Sequence, residues 1–328
     1  MVSIRRASLI GLTLALLSLS ATLALGDTPD APHASPPATT HKKPVRTKHK
    51  KTHRAPTTVT PRTTSRLTLA AKADVSGEPL LDESQLPPPS SGSCPAEMAS
   101  IDQRFCVDKW EASLVEIEGS GEHAFSHPFS PYALVDGHDV RAVSQAGVFP
   151  QGYVSGVQAA AACERSGKRL CTPTEWRKAC VGPRTLQYGY ADAREHGRCN
   201  DNGRSPMLAV WGLAGDSDPK DWGPLEMNDE RLNQLPGSLA RTGEHSGCTN
   251  DYGVYDMVGN LHEWTSDPNG TFQGGYYLDT KLNGEGCAYR TTAHDFAYHD
   301  YSTGFRCCAE PSAPLPPLPT APSSSRSP

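Results

Sequence analysis

Residues 253–267, GVYDMVGNLHEWTSD, place Asp256 and Glu263 on either side of Gly259, Asn260 and Leu261, with Trp264 following. Three chemistries use such a grouping. Two carboxylates facing one reacting centre do general acid–base work. A hard cation such as calcium takes several oxygens, mixing carboxylates with backbone carbonyls. In that case Asp256 and Glu263 give side-chain oxygens while Gly259 and Leu261 give carbonyls, since a glycine lets the chain curl inward. The third reading is an ordinary turn with an acid at each end.

A second grouping is AHDFAYHD, with His294, Asp295, His299 and Asp300. Two histidines and a carboxylate bind iron facially with open positions, which makes His294, His299 and Asp300 catalytic candidates. The two histidines are five apart, a spacing that matches neither one helix face nor one strand face. Exposed polar loop residues are therefore the plainer reading. His262 reads as packed or hydrogen-bonded rather than as a ligand. No nucleotide loop, zincin motif or GxSxG elbow is present.

These groups must fold somewhere, and the N-terminus says where. Arg5 and Arg6 precede an apolar run, and Ala24 and Gly26 stand before Asp27, the pattern of an export signal over residues 1–26. An uncleaved anchor is the alternative. The chain is thus expected in the periplasm, in the cell envelope or outside the cell. All ten cysteines lie between Cys94 and Cys308, with no CxxC among them. An even count in an exported chain favours disulfides over zinc. Flanks rich in Pro, Thr, Ser and Lys have little to bury. The reading is a disordered basic linker over 27–93, one folded domain over 94–310 and a disordered tail over 311–328.

Charge divides the same way. Residues 1–93 carry 12 Lys and Arg against 6 Asp and Glu; residues 94–310 carry 18 against 30. An acidic domain excludes nucleic acid as its ligand. Its basic linker either contacts an anionic envelope surface or serves as a soluble spacer.

Within the domain, Phe105 and Val107 alternate as in a strand, and loop-like sequence follows to about Pro150. The alanine-rich stretch after Ser155 predicts a helix, with Ser155 as N-cap and Gly167 past its end. Thr172, Pro173 and Glu175 predict a second, with a capping box, a proline at N1 and Gly182 as its stop. Little periodicity shows from Pro183 to Gly247. FQGGYYL, CAYR and GFRCC read as short strands. The fold class is α+β, low in regular structure.

GKRLCTPTEW, GVYDMVGNLHEW, QGG and GFRC occur in this order across residues 167–307. Together they resemble the sulfatase-modifying-factor family, typified by the formylglycine-generating enzyme. The resemblance implies a disulfide-crosslinked, calcium-bearing variant of the C-type lectin-like fold. It places the family's structural calcium motif on Asp256, Gly259, Leu261 and Glu263. A second calcium site begins at Asn200 and Asp201, with Asp216 and Asp218 as further candidates. It also implies the pairs Cys163–Cys307 and Cys180–Cys287. For the six cysteines left, Cys94–Cys106, Cys199–Cys248 and Cys171–Cys308 are expected. Neighbours on a strand face opposite ways, so Cys307 and Cys308 take different partners; a vicinal redox pair is the alternative.

The family enzyme oxidises a substrate cysteine with copper held by two cysteines. By position, both fall in GGYYLDTKLNGEG, where no cysteine occurs and Tyr277, Leu282 or their neighbours stand instead. Copper(I) wants soft thiolates, so copper is not expected. Two functions follow. The first is a calcium-stabilised binding or structural module, taking a peptide, protein or glycan in a surface groove with Trp211, Trp222, Tyr276 and Tyr277 as candidates. The second is a non-haem iron or copper oxidoreductase acting on a thiol or peptide substrate.

Overall fold

The structure is a computed structural model describing residues 81–119, 125–212 and 222–312. The expected export signal, linker residues 27–80, tail residues 313–328, Asp216 and Asp218 lie outside the described residues; residues 81–93 and 311–312, expected to be disordered, are ordered, with a 3-10 turn over Glu83–Gln85 and a bridge between Ser93 and Ser312.

Two helices form where local sequence dictates them. Helix α1 (Gly156–Glu164) begins at Ser155, whose hydroxyl accepts from the Gln158 N–H while the Gln158 side chain returns to the Ser155 N–H. Helix α2 (Pro173–Val181) carries the same reciprocal box between Thr172 and Glu175 and stops at Gly182, which has φ +70°. Each box satisfies two amide donors that a helix start otherwise leaves orphaned. Between them, Gly167 at φ +68° reverses the chain into strand β6 (Arg169–Leu170). Two shorter helices follow in the stretch expected to be irregular, α3 (Pro206–Trp211) and α4 (Pro224–Met227). Both open on a proline, which lacks the N–H that a first turn cannot use.

The strands make three small sheets. Strands β1 (Met98–Ile101) and β2 (Phe105–Asp108) pair antiparallel. Strand β2 also pairs with the last strand, β11 (Cys307–Ala309), which lies beside β6. The second sheet runs β10 (Thr303–Phe305), β7 (His262–Trp264), β8 (Phe272–Gln273) and β9 (Arg290–Thr291), with β10 and β7 parallel. The third corrects the loop expected before Pro150. Strand β3 (Ala112–Glu118) sits between β4 (Phe125–Pro128) and β5 (Val140–Ser144), all antiparallel. Ala112 and Leu114 of β3, with Val140, Ala142 and Ser144 of β5, alternate inward. That period-2 signal lies in the sequence, but the Gly, Pro and His residues around β4 obscure it.

Three apolar clusters form the interior. One surrounds Trp176 and Phe105, one Trp264 and Phe305, and one Tyr153, Leu232 and Tyr277. Four disulfides run through them, Cys163–Cys307, Cys171–Cys308, Cys180–Cys287 and Cys199–Cys248, and a fifth, Cys94–Cys106, lies outside the clusters. No cysteine is free.

Candidate functional site

The opening motif folds into two connected places, a buried charge cluster and the floor of a cavity. The backbone enters through Asp256 at φ +57°, Gly259 at +84° and Asn260 at +56°. Gly259 is obligatory, because a Cβ there would collide with the Asn200 carbonyl. That close approach seats Asn200 and Asp201 against the motif, and the Asn260 N–H donates to the Asn200 carbonyl at 2.8 Å.

Glu263 is buried on β7, opposite Gly304 of β10. Its Oε2 accepts from Trp176 Nε1 at 2.7 Å and from Arg306 Nε at 2.6 Å; its Oε1 accepts from Arg306 Nη2 at 2.6 Å. Arg306, wholly buried, spends its other N–H groups on the carbonyls of Asp108, Lys109 and Tyr255. Every donor of the fork has an acceptor, the condition under which a buried guanidinium is tolerated. Two more carboxylates complete the cluster. Glu111 accepts from the Leu261 N–H and from Asn260 Nδ2, and Asp256 accepts from the Gly243 N–H. Burial, reinforced by its acidic neighbours, holds Glu111 well above the usual carboxylate range. Burial likewise pushes the Asp256 carboxyl up to about 7.

The residues expected to hold calcium are placed as follows. Both oxygens of Glu263 are engaged by Arg306 and Trp176. At the second expected site, Asp201 is gripped by Arg194 through Oδ2 at 2.5 Å and Oδ1 at 2.9 Å. Asn200 turns its amide to the Ser238 carbonyl and to Asn260 Oδ1. A guanidinium thus sits at Glu263 and at Asp201, while Asp256 meets only the Gly243 N–H. The sequence showed both acids but not their arginines, which are distant in the chain or fall in a segment without a pattern. Arg306 alone carried a signal, as a charge amid the apolar and cysteine residues of GFRCC.

On the other side of β7 lies a cavity of about 590 Å³. His262 forms part of its floor, its ring packed against Phe272, Tyr276 and Tyr289 with centroids 4.6, 4.7 and 5.4 Å away. Its Nδ1 lies 3.1 Å from the Ser302 hydroxyl and its Nε2 3.3 Å from the Tyr289 hydroxyl. Burial pulls its pKa down to about 3, so the ring is neutral. The walls come from α4, through Pro224 and Met227, and from the segment that holds His294, Tyr298, His299, Asp300 and Tyr301. Among the described residues no lysine or arginine lines it, and Asp300 is the one carboxylate.

All three catalytic candidates therefore line one cavity, but not as an iron site. The His294 ring lies flat against Tyr298, 3.8 Å away, and stacks on Phe272. His299 Nδ1 is 2.8 Å from Asn228 Oδ1. Asp300 accepts from the Tyr298 hydroxyl at 2.5 Å and from the Ser302 N–H and hydroxyl at 2.7 Å. Among the described residues, the one group of three such side chains with ligand atoms all within 4.8 Å is Glu116, Glu118 and His127. Of the groove candidates, Trp222 and Tyr276 line the cavity. Tyr277 is core, donating its hydroxyl to Asn233 Oδ1 at 3.2 Å. Trp211 stands apart under Arg231, with the guanidinium carbon 5.2 Å from its ring centre. Sequence reading missed Tyr289, Tyr298 and Tyr301, since tyrosines scattered through loops carry no period.

A family model described as the sulfatase-modifying factor enzyme 1-like domain matches residues 106–311. No curated protein matches the chain. Among solved structures, PvdO from Pseudomonas aeruginosa is similar at 13% identity and a TM-score of 0.37, covering 67% of this chain and 89% of its own. CarF is similar at 14% identity and a TM-score of 0.34, covering 67% and 95%. The P3c variant of Major Tropism Determinant is similar at 12% identity and a TM-score of 0.37, covering 67% and 54%.

Proposed function

The chain belongs to the sulfatase-modifying factor enzyme 1-like family, and from that membership we propose an exported binding module that keeps the family scaffold without its copper-dependent oxidation. The observation that carries this reading is the state of the cysteines. All ten are joined in five disulfides, which leaves no thiolate pair to hold copper(I). Five disulfides also require folding in an oxidising compartment. Among the described residues no helix is long and apolar enough to cross a membrane.

The ligand seat is the cavity beside β7. Its rings give apolar contact area with few rotatable bonds, the property that makes tyrosine and tryptophan dominate binding hot spots. Asp300, with no basic side chain among the described lining residues, favours neutral or cationic groups over anionic ones. A peptide segment presenting an apolar or basic side chain fits that chemistry. The basic linker holds the module near anionic envelope polymer. Neither expected calcium set takes part, because Arg306 and Arg194 hold the carboxylates.

The test begins with exported, tag-free protein. Copper(I) titration should find no tight site, and incubation with copper, dioxygen and a cysteine-containing peptide should leave no aldehyde. Stoichiometric copper with aldehyde formation overturns the reading. Adding calcium to protein stripped with EDTA should leave the melting temperature unchanged. A peptide panel should return binders with apolar or basic side chains that Tyr276→Ala weakens about tenfold or more. Binding confined to glycans, or indifferent to that change, refutes the peptide assignment.

A further inference from the structure

The sheet β4-β3-β5 carries a side-chain group that neither the cavity nor the charge cluster uses. Glu116 and Glu118 lie two apart on β3 and so point to one face. In the antiparallel register, His127 of β4 sits directly opposite Glu116. His138, just before β5, reaches the same carboxylate from the other side, with Nδ1 2.6 Å from Glu116 Oε1. His127 Nε2 lies 3.0 Å from Glu118 Oε1 and 3.9 Å from Glu116 Oε2. Glu116, Glu118 and His127 each bring a ligand atom within 4.8 Å of the others.

We propose that Glu116, Glu118, His127 and His138 form a surface zinc site that pins β4 and the chain entering β5 onto β3. The other nitrogen of the His127 ring supports this. Nδ1 is 3.2 Å from the Pro128 carbonyl, which can only accept, so Nδ1 carries the proton. Nε2 then faces two carboxylates, where either a second ring proton or a bound metal supplies the positive charge. A metal-bound histidine ordinarily donates its second N–H to such a carbonyl. Two imidazoles and two carboxylates match zinc in ligand type and number, and the two carboxylates cancel its charge; His138, which touches Glu116 alone among them, would complete the set of three. Calcium, which prefers oxygen alone, is a poor match. The group stands on strands, where the sheet fixes the spacing, and its members are exposed or half-buried, so zinc reaches it from solvent.

Exported full-length protein is stripped with EDTA, dialysed and titrated with zinc chloride by calorimetry at pH 7.5. One saturable site per chain is expected, with micromolar or tighter affinity. His127→Ala and His138→Ala should each weaken it at least tenfold, while His299→Ala in the cavity should not. Circular dichroism of the variants checks that they fold, and their exposed positions leave the core intact. Absence of saturable binding overturns the proposal. So does binding that survives both variants, since histidines of the linker would then account for it.

Discussion

Three buried carboxylates share one buried guanidinium beside β7: Glu111, Asp256 and Glu263 around Arg306. Arg306 satisfies Glu263 alone at hydrogen-bond range. Asp256, pushed up to about 7 chiefly by burial, therefore behaves as the cluster's proton store. An unfolded aspartate releases its proton near pH 4. Between about pH 4 and 7 the folded chain keeps a proton that the unfolded chain has lost, so this group makes stability fall as pH rises across that window. Asp256→Asn retains an acceptor for the Gly243 N–H, and asparagine tolerates the φ of +57°. The variant should exceed the parent in stability at pH 8 by on the order of 2 kcal/mol, with the difference vanishing toward pH 4. Denaturant titrations at the two pH values measure it; an offset independent of pH removes Asp256 as the titrating group. Sequence alone showed Asp256 and Glu263 as an interesting pair but gave no view of Glu111. Glu111 and Asn260 lie 149 positions apart and meet at 2.6 Å, and no local pattern encodes such a contact.

Helices α1 and α2 were legible because everything that starts them is within four residues. The two-residue strand β6 was not, because it exists only through a partner elsewhere in the chain; β8 and β9 fall at FQGGYYL and CAYR, but shorter than read, with Cys287 and Ala288 in a 3-10 turn. Strand β11 shows what such partnering costs and how it is secured. It is three residues long, yet it carries Cys307 to Cys163 on α1 and Cys308 to Cys171 beyond β6. The separations are 144 and 137 residues, but Cys180–Cys287 bridges most of that span. With that bond alone in place, either of the two closes a ring of roughly 30–40 residues. With both Cys180–Cys287 and one of the pair in place, the other closes only a ring of about eleven residues, running 163–171 and 307–308. Chain entropy then makes the pair non-additive. Replacing one bond by alanines should cost about 3 kcal/mol, and replacing the second about 4 kcal/mol more. A double-mutant series by chemical denaturation measures this. Equal and additive losses would show that local strain or packing, rather than loop closure, sets the contribution of each bond.

The regular elements are too short to stabilise the whole: no strand exceeds seven residues and no helix nine among the described residues. What joins them is the disulfide network lying inside the apolar clusters. Cys171, Cys180, Cys199, Cys248, Cys287 and Cys308 belong to the cluster around Trp176, and Cys163 and Cys307 to that around Trp264. Adjacent residues of one strand thus tie two cores together. Each native disulfide of such a domain contributes about 2–5 kcal/mol, against a total stability of about 5–15 kcal/mol for ordinary domains. Losing all five therefore exceeds what the rest can hold. The chain made without residues 1–26 in a reducing cytoplasm should accumulate as insoluble or unfolded material. Protein exported to an oxidising compartment should contain no free thiol when unfolded without reductant, and should melt cooperatively. Reduced protein that retains native near-ultraviolet dichroism and a cooperative transition would mean that the apolar clusters alone specify the fold. The cysteines would then be secondary to the packing they now join.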